Sequence, residues 1–93
     1  MKSFKIKYSK QTEKFIKKNK AIGLRYMKAF IEIAEDPYKV SNYNVKKYKS
    51  NNFNGIFRIQ IGQYCAIFRI VDDEIIIKVF AIDKRGDVYK KKI

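Results

Sequence analysis

The chain has no histidine and no tryptophan, and only one cysteine, one proline and four glycines in 93 residues. The missing histidine removes the Ser-His-Asp triad, the Cys-His pair, His-bearing zinc sites and imidazole as a general base. A single cysteine, Cys65, excludes an intramolecular disulfide and any zinc site built from several thiolates, and it fits a reducing, cytoplasmic setting. With no imidazole to activate it, Cys65 reads as a small buried hydrophobe. No run of 18 apolar residues occurs, so no segment reads as a membrane-spanning helix. The opening MKSFKIKYSK is basic but alternating, and is not expected to be a signal peptide. Acids are also scarce, with 9 Asp and Glu against 22 Lys and Arg, a net charge of +13.

A composition of 46% hydrophobic and 15% aromatic residues supports one small core, and residues 1–93 read as a single domain. The charge exceeds what solubility needs and points to a polyanionic partner; the plainer alternative is a lysine-rich proteome. Residues 37–71 carry six basic residues (Lys39, Lys46, Lys47, Lys49, Arg58, Arg69) and no acid. The acids gather at Glu32, Glu35 and Asp36 and again at Asp72-Asp73-Glu74. The second group reads as a solvated turn, so neither a metal site nor any other cofactor is expected.

Residues 3–8 alternate with period two, placing Phe4, Ile6 and Tyr8 on one face and Lys5 and Lys7 on the other, as in a strand with one wet face. Ser9 or Thr12 can cap a helix over about Lys10–Asn19 with Phe15 and Ile16 inward. Asn19 to Gly23 read as a break. A second helix follows, with Leu24, Met27, Ile31 and Ala34 repeating along one stripe and Tyr26, Phe30 and Ile33 widening it. It ends at Pro37. The period returns to two from Tyr43, and Asn51–Gly55 is turn chemistry. Strands are expected over 57–61, 64–71 and 74–82. The last is apolar enough to be buried on both faces, and Asp83–Ile93 reads as a polar tail. The predicted fold is α+β, in the order β-α-α-β-β-β-β, with a mainly antiparallel twisted sheet and an N-terminal helix pair packed on one face.

If Tyr64, Ala66, Phe68 and Ile70 meet the helices, Arg58, Gln60 and Arg69 lie on the opposite face, where Lys46 or Lys47 could join them. Cations on a concave sheet suit RNA phosphates; the bland alternative is a solvated face with charges protecting the edges. A second constellation, Asp83-Lys84-Arg85-Gly86-Asp87-Val88-Tyr89, follows the most buried strand. Its Arg can fork onto a phosphate and its Tyr can stack on a base or move a proton. The alternative there is a charged tail with Tyr89 packed on the sheet edge.

Phe57–Tyr64, Ala66–Ile70, and Ile75–Ile82 followed by Lys84-Arg85-Gly86-Asp87-Val88-Tyr89 resemble the RelE/ParE superfamily of type II toxin–antitoxin toxins over nearly the whole chain. The resemblance implies a cytoplasmic toxin held in a hetero-oligomer by an acidic protein antitoxin. RelE-like members are metal-independent endoribonucleases that cut mRNA on the ribosome, at rRNA-lined sites, by attack of the 2′-OH on the adjacent phosphate, and so inhibit translation. The resemblance makes Arg58, Arg85 and Tyr89 the catalytic candidates and Lys46, Lys47, Lys49, Arg69 and Lys84 the RNA-binding ones. The sequence departs from the family pattern at Gln60 and at Cys65, where arginine is usual. Arg69, placed at about 6.5–7 Å along the same face by strand rise, is expected to replace the lost guanidinium in part. The alternatives are a ParE-like toxin that inhibits DNA gyrase by binding, or a catalytically weakened relative that binds RNA or antitoxin.

Overall fold

The alternating start of the chain forms strand β1 (Lys5–Tyr8), and helices α1 (Lys10–Lys18) and α2 (Lys20–Glu35) follow it. Strands β2 (Asn44–Lys47), β3 (Ile56–Ile61), β4 (Tyr64–Val71) and β5 (Ile76–Lys84) complete the order β-α-α-β-β-β-β of an α+β fold. The computed structural model describes residues 3–36, 43–47, 55–84 and 86–87. The five strands form one sheet in the order β1-β5-β4-β3-β2. Strands β2 to β5 pair antiparallel, and β1 joins the far edge parallel to β5. A parallel neighbour requires a long crossover, which the helices and the later strands supply.

Ser9 caps α1, its hydroxyl accepting from the Thr12 N–H at 3.2 Å. The chain leaves helical geometry only at Asn19 (φ −125°, ψ 67°), so the break expected through Gly23 is confined to one residue. Gly23 lies inside α2 because the helices cross closely there. A Cβ on it would stand 3.0 Å from the Ile16 Cα and 3.2 Å from the Ile16 carbonyl oxygen.

The buried stripe of α2 is Tyr26, Ala29, Phe30, Ile33 and Ala34. The stripe expected through Leu24 and Ile31 is therefore rotated, and these two side chains are 64% and 56% exposed. The aromatics decide the rotation. Phe30 meets Phe68 edge-on at 5.3 Å and Tyr8 at 6.2 Å, and the buried Tyr26 hydroxyl donates to the Ile59 carbonyl at 3.3 Å. Burying two rings and one satisfied hydroxyl outweighs burying Leu24 and Ile31.

The helices cover one face of the sheet. Phe57, Ile59 and Ile61 on β3, and Tyr64, Ala66, Phe68 and Ile70 on β4, point toward them. Strand β5 departs from the expected uniform burial. The register pairs Ile67 with Ala81 but Phe68 with Val79, leaving Phe80 as the extra residue of a bulge. Ile77, Val79 and Ile82 consequently face the helices, while Lys78 and Ala81 face away. Ile75 has φ +54°, so β5 starts at Ile76 and not at Glu74. It also runs past Ile82, taking Asp83 and Lys84 into the sheet and out of the expected tail.

Candidate functional site

On the sheet face away from the helices, side chains line up in three rows across the strands. The first row is Lys46, Arg58, Ile67 and Ala81. The second is Asn44, Gln60, Cys65 and Asp83. The third is Ile56, Arg69, Lys78 and Lys7. Neighbours within a row are about 4.8 Å apart, and adjacent rows about 6.7 Å apart. Every one of the five strands therefore contributes at least one cation to this face: Lys5 and Lys7 from β1, and Lys46, Arg58, Arg69 and Lys78 from the others. Between them lies a small buried apolar patch of Ile56, Cys65, Ile67 and Ala81, with Phe80 packed against it. The solvated face expected from alternation is thus a greasy floor bounded by cations. Such a floor keeps the charges in a lower dielectric, where they act more strongly on an anion.

The sequence-predicted residues fall into three groups. Lys46, Arg58 and Arg69 share this face, as expected. Lys47 pairs with Phe57, so its alternation aims it at the helix side of an edge strand, where it is exposed. Lys84 ends β5 opposite Tyr64 and lines a cleft of about 340 Å³ with Gln60, Gly62 and Gln63. Lys49, Arg85 and Tyr89 lie outside the described residues. The expectation for Arg69 needs correction. It is four residues, hence two rows, from Cys65, or about 13 Å by strand rise rather than a single step. Arg69 neighbours Lys78, and it joins the third row rather than filling the second one, which carries no cation.

Two members of the face were missed in the sequence. Lys7 had been placed on the wet side of its strand, but nothing local says that this side continues the Arg58 face. Lys78 sits in an apolar run, and only the bulge at Phe80 settles its direction. Asp83, counted as tail, closes the second row beside Cys65, and its carboxylate accepts the Lys84 N–H at 2.8 Å.

A separate cleft of about 540 Å³ runs between α2 and the β2–β3 edge, lined by Arg25, Lys28, Glu32, Tyr43, Asn44, Gln60, Ile61 and Gly62. In it the Tyr43 hydroxyl donates to the Glu32 carboxylate, and that bond raises the phenol pKa above its ordinary value. Burial raises the Tyr26 phenol strongly and the Tyr8 phenol as well. Neither suits a proton donor near neutral pH. Among the described residues no cluster of Cys, Asp and Glu could hold a metal ion, and no helix is long and apolar enough to cross a membrane.

Comparison with solved structures gives matches across nearly the whole chain. The RelE–RelB complex of the archaeon Pyrococcus horikoshii matches with TM-score 0.76 and 21% identity, over 91% of this chain and 98% of that one. A mutant of the Escherichia coli toxin RelE in the free state matches with TM-score 0.72 and 16% identity, over 96% and 93%. A RelBE toxin–antitoxin complex from Mycobacterium tuberculosis matches with TM-score 0.70 and 20% identity, over 94% and 97%. These likenesses establish a RelE-like fold. No curated protein sequence matches significantly. The profile of the ParE toxin family, toxins of type II toxin–antitoxin systems of the parDE kind, matches residues 6–89. With the profile spanning both helices and all of the sheet but the first residue of β1, the chain belongs to the ParE toxin family within the RelE/ParE superfamily and is the toxin of a type II toxin–antitoxin module.

Proposed function

We propose that the chain is an mRNA endonuclease that acts in the cytoplasm, on the ribosome, without a metal. The observation that carries this reading is the face with at least one cation from each of five strands, arranged over a small apolar floor. In the reaction, the 2′-OH of one nucleotide loses its proton and attacks the adjacent phosphorus. The 5′-oxygen of the next nucleotide departs and takes up a proton, leaving a 2′,3′-cyclic phosphate. Arg58 is assigned to hold the charge that builds on the phosphate, which preorganised cations stabilise in a water-poor site. Arg85, next in the chain after Lys84, is assigned the same role. Tyr89 is assigned to stack on a base or transfer a proton. Lys46, Lys47, Lys49, Arg69 and Lys84 are assigned to the RNA backbone. An acidic antitoxin would cover the same charge and hold the toxin inactive in a hetero-oligomer.

Induction of the protein in cells, followed by mapping of mRNA 5′ ends, tests the reading. New ends within codons are expected, and Arg58→Ala should reduce them by about 10²–10³-fold, the typical cost of one lost charge-stabilising donor. Intact mRNA would overturn the proposal. One observation favours a second reading, binding and inhibition of DNA gyrase: the row nearest the β3–β4 turn, Asn44, Gln60, Cys65 and Asp83, carries no cation where a phosphate fork is usual. Intact mRNA accompanied by DNA damage would support that reading.

A further inference from the structure

We propose that the β1 edge of the cationic face is a subsite for one nucleotide of single-stranded RNA, with Lys7 and Lys78 on the phosphate and the Phe80 ring under the base. The inference rests on the RNA reading above and extends it to residues outside the assigned set. Lys7 and Lys78 are direct partners in the β1–β5 register, and Arg69 flanks Lys78 on the other side. Lys7 and Lys78, like charges directly opposite on adjacent strands, repel, and an anion between them relieves that repulsion. The Glu74 carboxylate approaches Lys78 only to 3.9 Å, and both side chains are partly exposed, so it offsets little of that repulsion.

A shallow cavity of about 190 Å³ opens at the same place, lined by Lys7, Tyr8, Ser9, Lys78, Val79 and Phe80. Phe80 is half-buried and reaches this face because the bulge turns it there. The bulge is pinned from behind. The Phe80 carbonyl accepts from the Ser9 hydroxyl at 2.6 Å and from the Gln11 amide at 2.8 Å. The Val79 carbonyl accepts from the Ser9 N–H at 3.0 Å. An aromatic surface held by backbone bonds beside two ammonium groups fits a nucleotide, since every base has a face to stack and every phosphate a charge to neutralise. An acidic peptide would use the lysines but not the ring. The subsite lies three strand spacings, about 14 Å, from Arg58 across the sheet. It would therefore hold a nucleotide flanking the reacting phosphate rather than the reacting one.

Fluorescence anisotropy with a short labelled single-stranded RNA tests this on the whole chain. The variants are Phe80→Leu and the pair Lys7→Gln/Lys78→Gln, against a control pair Lys14→Gln/Lys17→Gln on the exposed side of α1. Phe80→Leu should weaken binding by about 5- to 150-fold, the effect of one lost base stack. The Lys7/Lys78 pair should flatten the slope of log affinity against log salt by about 1.4, from two lost phosphate contacts at about 0.7 each. The control pair should keep the wild-type slope. If Phe80→Leu loses its far-ultraviolet circular dichroism, the lysine pair decides alone, since it removes no packing. Wild-type binding with a lysine-pair slope equal to the control overturns the subsite and leaves the RNA reading standing. No salt-dependent RNA binding by the wild type overturns both.

Discussion

The helix crossing at Gly23 offers a sharp test of the packing that presents the site. Replacing Gly23 with Ala adds one methyl group at a helical position, and intrinsic propensity alone would stabilise the chain by about 1 kcal/mol. The geometry opposes this. The new Cβ would stand 3.0 Å from the Ile16 Cα, 3.1 Å from its Cγ2 and 3.2 Å from its carbonyl oxygen. Two of those three atoms are backbone, so no rotamer change relieves the contact and the helices must part. Overpacking of this kind costs about 1–3 kcal/mol, and backbone clashes belong in the upper half of that range. The net expectation is a loss of about 1–2 kcal/mol, which lowers the melting temperature of a domain this size by about 5–15 °C. Thermal unfolding followed by circular dichroism measures it. Ala21→Gly, at an exposed position two residues earlier on the opposite side of α2, controls for propensity and should cost up to about 1 kcal/mol with no clash. Adding Ile16→Ala to Gly23→Ala should restore only part of the loss, because the Cα and carbonyl contacts remain. A Gly23→Ala protein that melts at or above the wild type would refute the argument.

Ser9→Ala should destabilise by about 1–2 kcal/mol, since it removes both the cap on Thr12 and the bond to Phe80; hydrogen exchange should quicken first at the start of α1 and around the bulge, and unchanged exchange would contradict the pinning. Tyr26→Phe should cost about 0.5–1.5 kcal/mol by leaving the Ile59 carbonyl without its donor. The same tyrosine sets an alkaline limit. Burial, with a smaller contribution from Cys65, raises its pKa in the folded state above the ordinary 10.0, so the folded chain holds this proton more tightly than the unfolded one. Its contribution to stability is complete below pH 10 and falls as pH rises above it. Denaturant midpoints measured from pH 8 to 11 should decline less for Tyr26→Phe than for the wild type, and parallel declines would refute the assignment.

Much of the molecule follows from local pattern. Alternation along 57–61 and 64–71 predicts β3 and β4 nearly to the residue, and it assigns Arg58 and Arg69 to one face because side chains in a strand change sides at every step. Ser9 is readable as a cap because its hydroxyl acts within one turn. The absence of histidine and the +13 charge bound the available chemistry before any coordinates are known.

What the pattern could not decide depended on contacts distant in the chain. Which stripe of α2 goes inward was settled by Phe30 meeting Phe68, so the equally apolar Leu24 and Ile31 were left outside. The break after α1 narrowed to Asn19 because Gly23 is a close-approach glycine rather than a helix stop, a distinction made only by where Ile16 lies. The cationic face was half legible for the same reason. Strand parity groups Arg58 with Arg69, but the parallel pairing of β1 with β5 and a bulge at Phe80 bring in Lys7 and Lys78. A single extra residue in a strand reverses the direction of everything on one side of it. The sequence by itself determined the elements, their order and the sign of the surface; only the tertiary structure decided which of those charges stand side by side, because register between strands is fixed by partners far away in the chain.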